Sequence, residues 1–280
     1  MMRSMRVGTM WLCPLVSLVT LLTSCGQPAH HAVVAPAPVP RSSAPPPQVS
    51  QPEPEQVAGP VDPDPRVGAI FVDGGAMHVC TGSVVHSTGG DLVLTAAHCV
   101  SGSSQATFVP GLAGDAAPTD LWKVDQLYFD PRWIATKDPR ADYVIARVSG
   151  IGGGAVESHV GSGLSLGTAP IPGSRVSVTG YPSAVGGMPI GCEARTGTTE
   201  SGFPSLACEG LVSGTSGAPW VSGSTVIGLI GGLQGGGCAQ NMSYSAPFDE
   251  HTAQLLARAQ AGGPGDSAPS EFDDFCSATA

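Results

Sequence analysis

The sequence places one histidine, His98, where it could act as a general base. It lies in Leu94-Thr95-Ala96-Ala97-His98-Cys99, directly after an apolar run. Imidazole has an ordinary pKa near neutrality, so it accepts and returns protons without large tuning. A disulfide from Cys99 to Cys80 would tie together the two strands that hold the histidine. We therefore expect His98 to be a positioned base.

A serine, Ser216, follows in the segment Gly214-Thr215-Ser216-Gly217-Ala218-Pro219. A serine hydroxyl becomes an effective nucleophile only when a base takes its proton and the resulting oxyanion is stabilised. Glycine before the serine permits a tight turn that points backbone N–H groups inward. We expect Ser216 to be the nucleophile and the N–H groups of Gly214 and Ser216 to form an oxyanion hole.

A third group is needed to orient the imidazole, and Asp142 is the candidate. It begins the apolar run Tyr143 to Val148. A buried carboxylate beside Nδ1 would fix the tautomer of the base and stabilise the imidazolium that forms. Asp130 and Asp138 are the competing acids, but neither precedes a clean strand.

The elements that must position these residues are mostly β-strands. Short runs rich in Val, Ile and Thr recur between segments of the turn-forming residues Gly, Pro and Ser. They lie at Val67–Val72, Leu92–Ala96, Tyr143–Val148, Arg175–Thr179 and Val226–Ile230. Helical spacing is visible over His251–Gln260, which is followed by Gly262 and Gly263. This pattern predicts an all-β barrel or sandwich with Greek-key turns and one C-terminal helix.

Together, His98, Asp142 and Ser216 resemble the triad of the chymotrypsin-fold serine proteases, in the same chain order. The resemblance runs from about Arg66 to Gln260 and is closest to the secreted bacterial branch that contains glutamyl endopeptidases. It rests also on three supporting segments, at 80–85, 178–182 and 226–232. It implies two six-stranded antiparallel Greek-key barrels with a short C-terminal helix and an active site between them. It also implies peptide-bond hydrolysis through an acyl-enzyme, with no cofactor.

Two departures from the family pattern bear on activation and specificity. Position 215 is Thr where digestive-type relatives carry an Asp that pairs with a newly cleaved N-terminus, so that mode of activation is not expected. Gly210 stands near the position of the basic-selective Asp, and the stretch from Leu229 to Leu233 lacks the histidine of glutamate-selective members. We expect a small or apolar residue before the scissile bond, and neither strict Arg/Lys nor Glu selectivity.

Two features of the sequence would fit other functions. The segment Gly163-Leu164-Ser165-Leu166-Gly167 matches the nucleophile motif of α/β-hydrolases, but that fold requires an acid and a histidine after the serine and alternating helices. His251 is the only histidine after Ser165 and the alternating helices are missing, so the match is interpreted as chance. The second alternative is a catalytically silent binding lipoprotein with the protease fold. It differs from an enzyme in that Ser216 would not react.

The regions outside the barrels divide into three. Residues 1–24, with Arg3, Arg6 and a short apolar stretch, are typical of a lipoprotein signal peptide, and Cys25 would carry the lipid. An ordinary secretory signal cleaved nearby is the alternative. Residues 25–65 are rich in Pro and Ala and predict a disordered spacer before the protease domain at 66–262. Residues 263–280 form an acidic tail. The expected location is outside the cell, on the outer membrane face through the lipid, or otherwise secreted.

Charge and cysteine content limit the partners. The net charge is −10, and removal of Arg3 and Arg6 with the signal makes it about −12, which argues against nucleic acid. We expect polypeptide substrates, a membrane link through Cys25 alone, and a monomer. The sequence has no C-x-x-C pair or histidine cluster, so no metal site is predicted.

An exported chain favours disulfides. Cys80–Cys99 is the best-supported pair. The remaining cysteines allow Cys192–Cys208 with Cys238–Cys276, which we favour, or Cys208–Cys238 with Cys192–Cys276; spacing alone leaves both sets open.

Overall fold

The computed structural model describes residues 56–269. These residues form mainly strands, which run in chain order as β1 (Gly59–Pro60), β2 (Val67–Val72), β3 (Met77–Val85), β4 (Leu92–Thr95), β5 (Ala106–Pro110), β6 (Trp122–Phe129), β7 (Val144–Gly150), β8 (Ser165–Leu166), β9 (Arg175–Gly180), β10 (Ala184–Val185), β11 (Ile190–Thr198), β12 (Pro204–Ala207), β13 (Pro219–Ser222), β14 (Thr225–Leu229) and β15 (Met242–Tyr244). The helices are α1 (Pro131–Thr136), α2 (Val156–Val160) and α3 (Glu250–Ala261).

The first sheet closes into a six-stranded antiparallel barrel. Its order is β3-β2-β5-β6-β7-β4, and β4 pairs back with β3, which completes the ring. Strand β4 is apolar at Leu92, Val93 and Leu94, and all three side chains are fully buried. A strand covered on both faces requires this continuous apolar run instead of an alternating one. The closed ring fixes the end of β4, which leads directly to His98.

The second sheet is a half-barrel. Its order is β15-β12-β11-β9-β13-β14-β8, with β1 added to β11, and within residues 56–269 no pairing closes it. Its packing centres on Trp220, Leu206 and Val178, which are buried together. The all-β architecture with two barrel-like sheets confirms the predicted fold class. The second sheet differs from the expectation in being open and in pairing its edge strand β8 parallel to β14.

Helix α3 begins and ends within one residue of the predicted helix. Asp249 caps it by accepting a hydrogen bond from the His251 N–H at 2.8 Å, and the Asp249 N–H donates to Thr252 Oγ1 at 3.3 Å. Leu255 and Ala259 lie on the buried face, as the helical spacing requires. None of the helices in the described part of the chain is both long and apolar enough to cross a membrane.

The folded domain extends beyond both predicted boundaries, at 66 and at 262. On the N-terminal side, β1 pairs with β11, and the Ala58 N–H donates to the Glu209 carbonyl at 2.8 Å. The Pro-rich composition that predicted a spacer up to residue 65 does not report this pairing, because the partner strands are distant in sequence. On the C-terminal side, the Asp266 N–H donates to the Leu127 carbonyl at 2.7 Å, so the tail's first residues pack on β6.

Several predictions concern residues outside the described range. The signal peptide at 1–24, lipidation at Cys25 and most of the spacer precede residue 56. Cys276 follows residue 269, so its pairing stays a prediction.

Candidate active site

His98 lies in a one-turn 3-10 helix, Ala97–Cys99, that follows β4. The imidazole Nδ1 lies 2.8 Å from Asp142 Oδ2, and the His98 backbone N–H donates to Asp142 Oδ1 at 3.0 Å. A carboxylate can only accept, so Nδ1 carries a proton, and in a neutral imidazole Nε2 would then keep its lone pair. The contact therefore leaves His98 in the tautomer that a general base needs.

Asp142 is fully buried, and three N–H groups compensate its charge. The third donor is the Gly232 N–H, at 2.8 Å from Oδ2. Gly232 has φ +83°, and a Cβ there would lie 2.6 Å from the Ala246 backbone nitrogen, so only glycine fits. Gly232 is a site residue that the sequence analysis did not identify. No local signal marks a backbone donor that acts on a residue so distant in sequence.

The competing acids have other partners. Asp130 caps α1 and accepts from the Arg132 side chain at 2.7 Å and from the Tyr143 hydroxyl at 2.8 Å. Asp138 accepts from the Arg140 N–H at 2.9 Å in the next turn. Within residues 56–269, Asp142 is thus the acid that the fold brings to His98.

The Asp130 network makes folding stability depend on pH. Burial opposes ionisation of Asp130, but hydrogen bonds from Arg132 and Tyr143 outweigh it and hold the pKa of Asp130 below its ordinary value. The folded state then binds fewer protons than the unfolded state. The contribution of ionised Asp130 to the free energy of unfolding is therefore complete above the unfolded pKa of about 3.9, and it is lost as the pH falls through the folded pKa.

We expect Asp130→Asn to lower the free energy of unfolding by about 2 kcal/mol at pH 7, because it removes hydrogen bonds to a charged partner. The difference from wild type should shrink when the pH is lowered from 7 to 3, because the unfolded state, with an ordinary pKa of about 3.9, gains its proton before the folded state does. Urea unfolding at both pH values measures this, and exposed Asp62→Asn is the control that should match wild type. A difference that stays constant or grows toward low pH would contradict the assignment.

The Ser216 loop is fixed from both barrels. The Thr81 N–H of β3 donates to the Ser216 carbonyl at 2.8 Å, and the Gly217 N–H donates to the Ile230 carbonyl at 2.7 Å. Thr81 Oγ1 also donates to the Gly214 carbonyl at 2.9 Å. These bonds hold the serine at the junction of the two sheets, half-buried and on the same cavity as His98.

Gly214 gives the loop its turn. Its φ is +93°, and a Cβ there would lie 2.1 Å from the Ser183 backbone nitrogen, which excludes every other residue. Within the described part of the chain, the N–H groups of Gly214 and Ser216 have no protein acceptor. Two N–H groups left available beside a serine are the arrangement that stabilises an oxyanion.

Thr215 is buried and makes hydrogen bonds within this loop. Its Oγ1 donates to the Val212 carbonyl at 2.7 Å, and its N–H donates to the same oxygen at 3.1 Å. The loop is therefore folded by its own residues, which agrees with the absence of an acid at position 215.

Two disulfides join cysteines within residues 56–269, and the first of them lines the cleft. Cys80 is bonded to Cys99 and Cys192 to Cys208, as in the favoured set. The alternative set, with Cys208 bonded to Cys238, is inconsistent with these bonds. Cys80, Cys99 and His98 are also grouped closely enough to resemble metal ligands, but both sulfurs are consumed in the disulfide.

A cleft of 660 Å³ joins these features. His98, Ser101 and Ser216 line one part, and the remainder is bounded by residues of the loops on either side of β13 and β14: Leu211, Val212, Ser213, Ile230, Gln234, Gly235, Gly236, Gly237, Cys238, Ala239 and Gln240. Among the described residues that line it, none is Lys, Arg, Asp or Glu. The cleft therefore presents a neutral, mixed apolar and amide surface.

Comparison with solved structures places this fold among known ones. The protease Anisep from Arthrobacter nicotinovorans superposes with a TM-score of 0.64 at 22% identity, over 74% of this chain and 100% of that one. A Glu endopeptidase in complex with MPD gives 0.58 at 16%, over 74% and 97%. Human heparin binding protein gives 0.58 at 17%, over 75% and 99%. At these identities the likeness establishes the chymotrypsin-like fold alone.

Comparison with sequences gives the family. No curated protein sequence matches the chain. A family model described as "Trypsin-like peptidase domain" matches residues 80–229, which include His98, Asp142 and Ser216. Because that match covers more than half of the sequence and agrees with the fold, the chain belongs to the trypsin-like peptidase domain family.

Proposed function

We propose that the protein is an extracytoplasmic serine endopeptidase in which Ser216 is the nucleophile, His98 the general base and Asp142 the residue that orients the base. The observation that carries the proposal is the 2.8 Å contact between His98 Nδ1 and buried Asp142, in a cleft that Ser216 also lines. Membership of a peptidase family supports the same reaction class.

The proposed reaction proceeds through an acyl-enzyme. Ser216 Oγ attacks the carbonyl carbon of the scissile peptide bond while His98 Nε2 accepts the hydroxyl proton. The carbonyl oxygen gains negative charge and is stabilised by the N–H groups of Gly214 and Ser216. The tetrahedral intermediate collapses, His98 returns the proton to the leaving amine, and the C–N bond breaks. Water, deprotonated by His98, then hydrolyses the ester and restores Ser216.

The neutral cleft supports a preference for uncharged residues before the scissile bond. A buried Lys, Arg or carboxylate of the substrate would lose hydration there without gaining a counter-charge from the lining residues. We propose a small, apolar or amide side chain at that position, within a polypeptide substrate.

The proposed location is outside the cytoplasm, with a lipid on Cys25 as the membrane link. The two disulfides support an oxidising compartment, and the signal-peptide features before Cys25 support the lipid. Palmitate incorporation that disappears in Cys25→Ala would agree with this, whereas labelling that persists would contradict it.

A fluorophosphonate probe tests the nucleophile directly. We expect the purified protein to be labelled on Ser216, because the probe reacts only with serines activated by a base and an oxyanion hole. Ser216→Ala is the matched variant and should not be labelled. If wild type stays unlabelled, or if Ser216→Ala is labelled equally, the hydrolase proposal fails and a silent binding domain becomes the better explanation.

A further inference from the structure

Thr81 lies where the first barrel meets the Ser216 loop. It belongs to β3, its side chain is fully buried, and it is not among the described residues that line the cleft. Its N–H donates to the Ser216 carbonyl at 2.8 Å, and its hydroxyl oxygen lies 2.9 Å from the Gly214 carbonyl oxygen. One side chain of the first barrel therefore contacts the glycine whose N–H is one of the two oxyanion donors.

The direction of the Thr81 hydroxyl is fixed by a second contact. The Tyr181 N–H lies 2.8 Å from the same Oγ1 atom, and a backbone N–H can only donate. Oγ1 therefore accepts from Tyr181 and uses its own proton to donate to the Gly214 carbonyl. Because all three residues are buried, water has little access to either hydrogen bond.

Gly214 needs such contacts because its own backbone is permissive. Glycine restricts φ and ψ less than any other residue does, so the two peptide groups that flank it can rotate at little steric cost. If the peptide group between Ser213 and Gly214 turned over, its N–H would point away from the cleft and the oxyanion hole would lose a donor. The direction of each flanking peptide group must therefore be set by hydrogen bonds.

Hydrogen bonds hold both of these peptide groups. The Ser213 carbonyl accepts from the Ser183 N–H at 2.9 Å. Because C=O and N–H point in opposite directions in a planar trans peptide, this bond directs the Gly214 N–H away from Ser183. In the next peptide group, the Gly214 carbonyl accepts from the Thr81 hydroxyl. The first bond is made by backbone atoms alone, whereas the second requires a hydroxyl side chain at position 81.

The segment that follows β9 connects these two bonds. It contains both Tyr181 and Ser183, whose N–H groups are the donors just described. A Cβ added to Gly214 would lie 2.5 Å from the Tyr181 carbonyl oxygen, so the Ser216 loop packs directly against this segment. The Thr81 hydroxyl thus joins the first barrel, the segment after β9 and the Ser216 loop at one point.

Thr81 is also linked to the strand that leads to the general base. The Thr95 hydroxyl donates to the Thr81 carbonyl at 2.7 Å. Thr95 is the last residue of β4, three residues before His98. Thr81 therefore contacts both the loop of the nucleophile and the strand that positions the base.

We propose that Thr81 is a positioning residue of the oxyanion hole, and that its hydroxyl holds the Gly214 carbonyl so that the Gly214 N–H stays directed into the cleft. Thr81 acts through the Ser216 loop and does not touch the substrate. Its effect on turnover rests on the proposed peptidase function, but its effect on the orientation of the loop does not.

Three substitutions at position 81 separate the hydroxyl from the rest of the side chain. Thr81→Val replaces the hydroxyl by a methyl group and keeps the branched shape, Thr81→Ser keeps the hydroxyl, and Thr81→Ala removes it without adding bulk. Thr196→Val is the matched control. Thr196 is a buried threonine of β11 whose hydroxyl donates to the Ile171 carbonyl at 3.0 Å, and it is not among the described residues that line the cleft.

We expect Thr81→Val and Thr81→Ala to lower kcat for a casein-type substrate by about 10²-fold, with KM changed by less than about threefold, because the oxyanion forms only as the reaction proceeds. Fluorophosphonate labelling should slow in the same two variants. Thr81→Ser should stay within about threefold of wild type in kcat, and Thr196→Val should match wild type. Unfolding midpoints are measured for every variant, and rates are compared at a temperature where all are folded.

Two results would overturn the proposal. One is a kcat equal to that of wild type in Thr81→Val and Thr81→Ala. The other is a loss in Thr81→Ser as large as in Thr81→Ala, because that would assign the effect to packing of the methyl group. If Thr81→Val does not fold, Thr81→Ala and Thr81→Ser still differ by the hydroxyl alone and decide the question.

Crystal structures of Thr81→Ala and Thr81→Ser separate this proposal from the peptidase function. We expect the Gly214 carbonyl to leave its wild-type direction in Thr81→Ala, because it loses its donor, and to keep that direction in Thr81→Ser. An unchanged Ser216 loop in Thr81→Ala would overturn the positioning role whatever the activity. If wild type is neither labelled nor active but the loop turns in Thr81→Ala, the peptidase function fails and the positioning role stands.

Discussion

Replacing Ser216 by alanine is expected to lower kcat by about 10⁶ while leaving the fold intact. The side chain is half-buried at the cleft, and the bonds that hold its loop run through backbone atoms of residues 214, 216 and 217. Removal of the hydroxyl therefore deletes the proposed nucleophile without removing a loop contact. Turnover of a casein-type substrate and the unfolding midpoint are measured together.

His98→Ala should cost about as much, and the double variant should be no worse than either single one, because members of a triad act as a unit. Losses that multiply in the double variant would show that the two residues act independently. Full activity after either single change would exclude the proposed mechanism.

Asp142→Asn is expected to lower kcat by about 10⁴. Oδ1 and Oδ2 of Asp142 both receive backbone N–H groups, from His98 and Gly232 respectively. In the asparagine, the NH2 group replaces one of these two oxygens and therefore faces an N–H donor. If it replaces Oδ2, it also donates to His98 Nδ1, so that Nε2 carries the imidazole proton and cannot act as a base.

Asp130→Asn is the matched control for this prediction. Asp130 is also buried and also begins a structural element, but its partners are Arg132 and Tyr143. We expect it to retain turnover at temperatures where it stays folded, while its stability falls. If Asp130→Asn loses turnover and Asp142→Asn does not, the orienting acid has been assigned to the wrong residue.

The sequence predicted those parts of the molecule whose signals are local. The apolar run before His98 indicated a buried strand, and the strand β4 is there. The run after Asp142 indicated another, and β7 begins at Val144. Because these two strands pair in register from Thr95 with Val144, the residues at their ends meet. Two separate local patterns therefore lead to one contact, because the strands that they predict are neighbours in the sheet.

What the sequence did not predict depends on distant partners. The Gly232 N–H reaches Asp142 because β14 delivers it across the barrel junction, and a glycine in a Gly-rich loop has no pattern that distinguishes it. The open edge of the second sheet likewise depends on which strands pair with one another across long stretches of sequence. The sequence did not predict that the domain starts before residue 66. The composition of a segment shows how much apolar surface the segment itself can bury, but not whether a strand later in the chain will pair with it.

That early start has a consequence for how the domain assembles. Residues 57–60 are the first part of the domain to be synthesised, yet Gly59 pairs with Gly191 and Val57 with Glu209. The first barrel draws β2 to β7 from contiguous sequence and needs no later strand to close. Pairing between residues distant in sequence gains its contacts only after the entropy cost of closing the long loop between them. We therefore expect residues 57–60 to dock late in folding. Protection of these residues from proteolysis would then mark the completion of the second sheet.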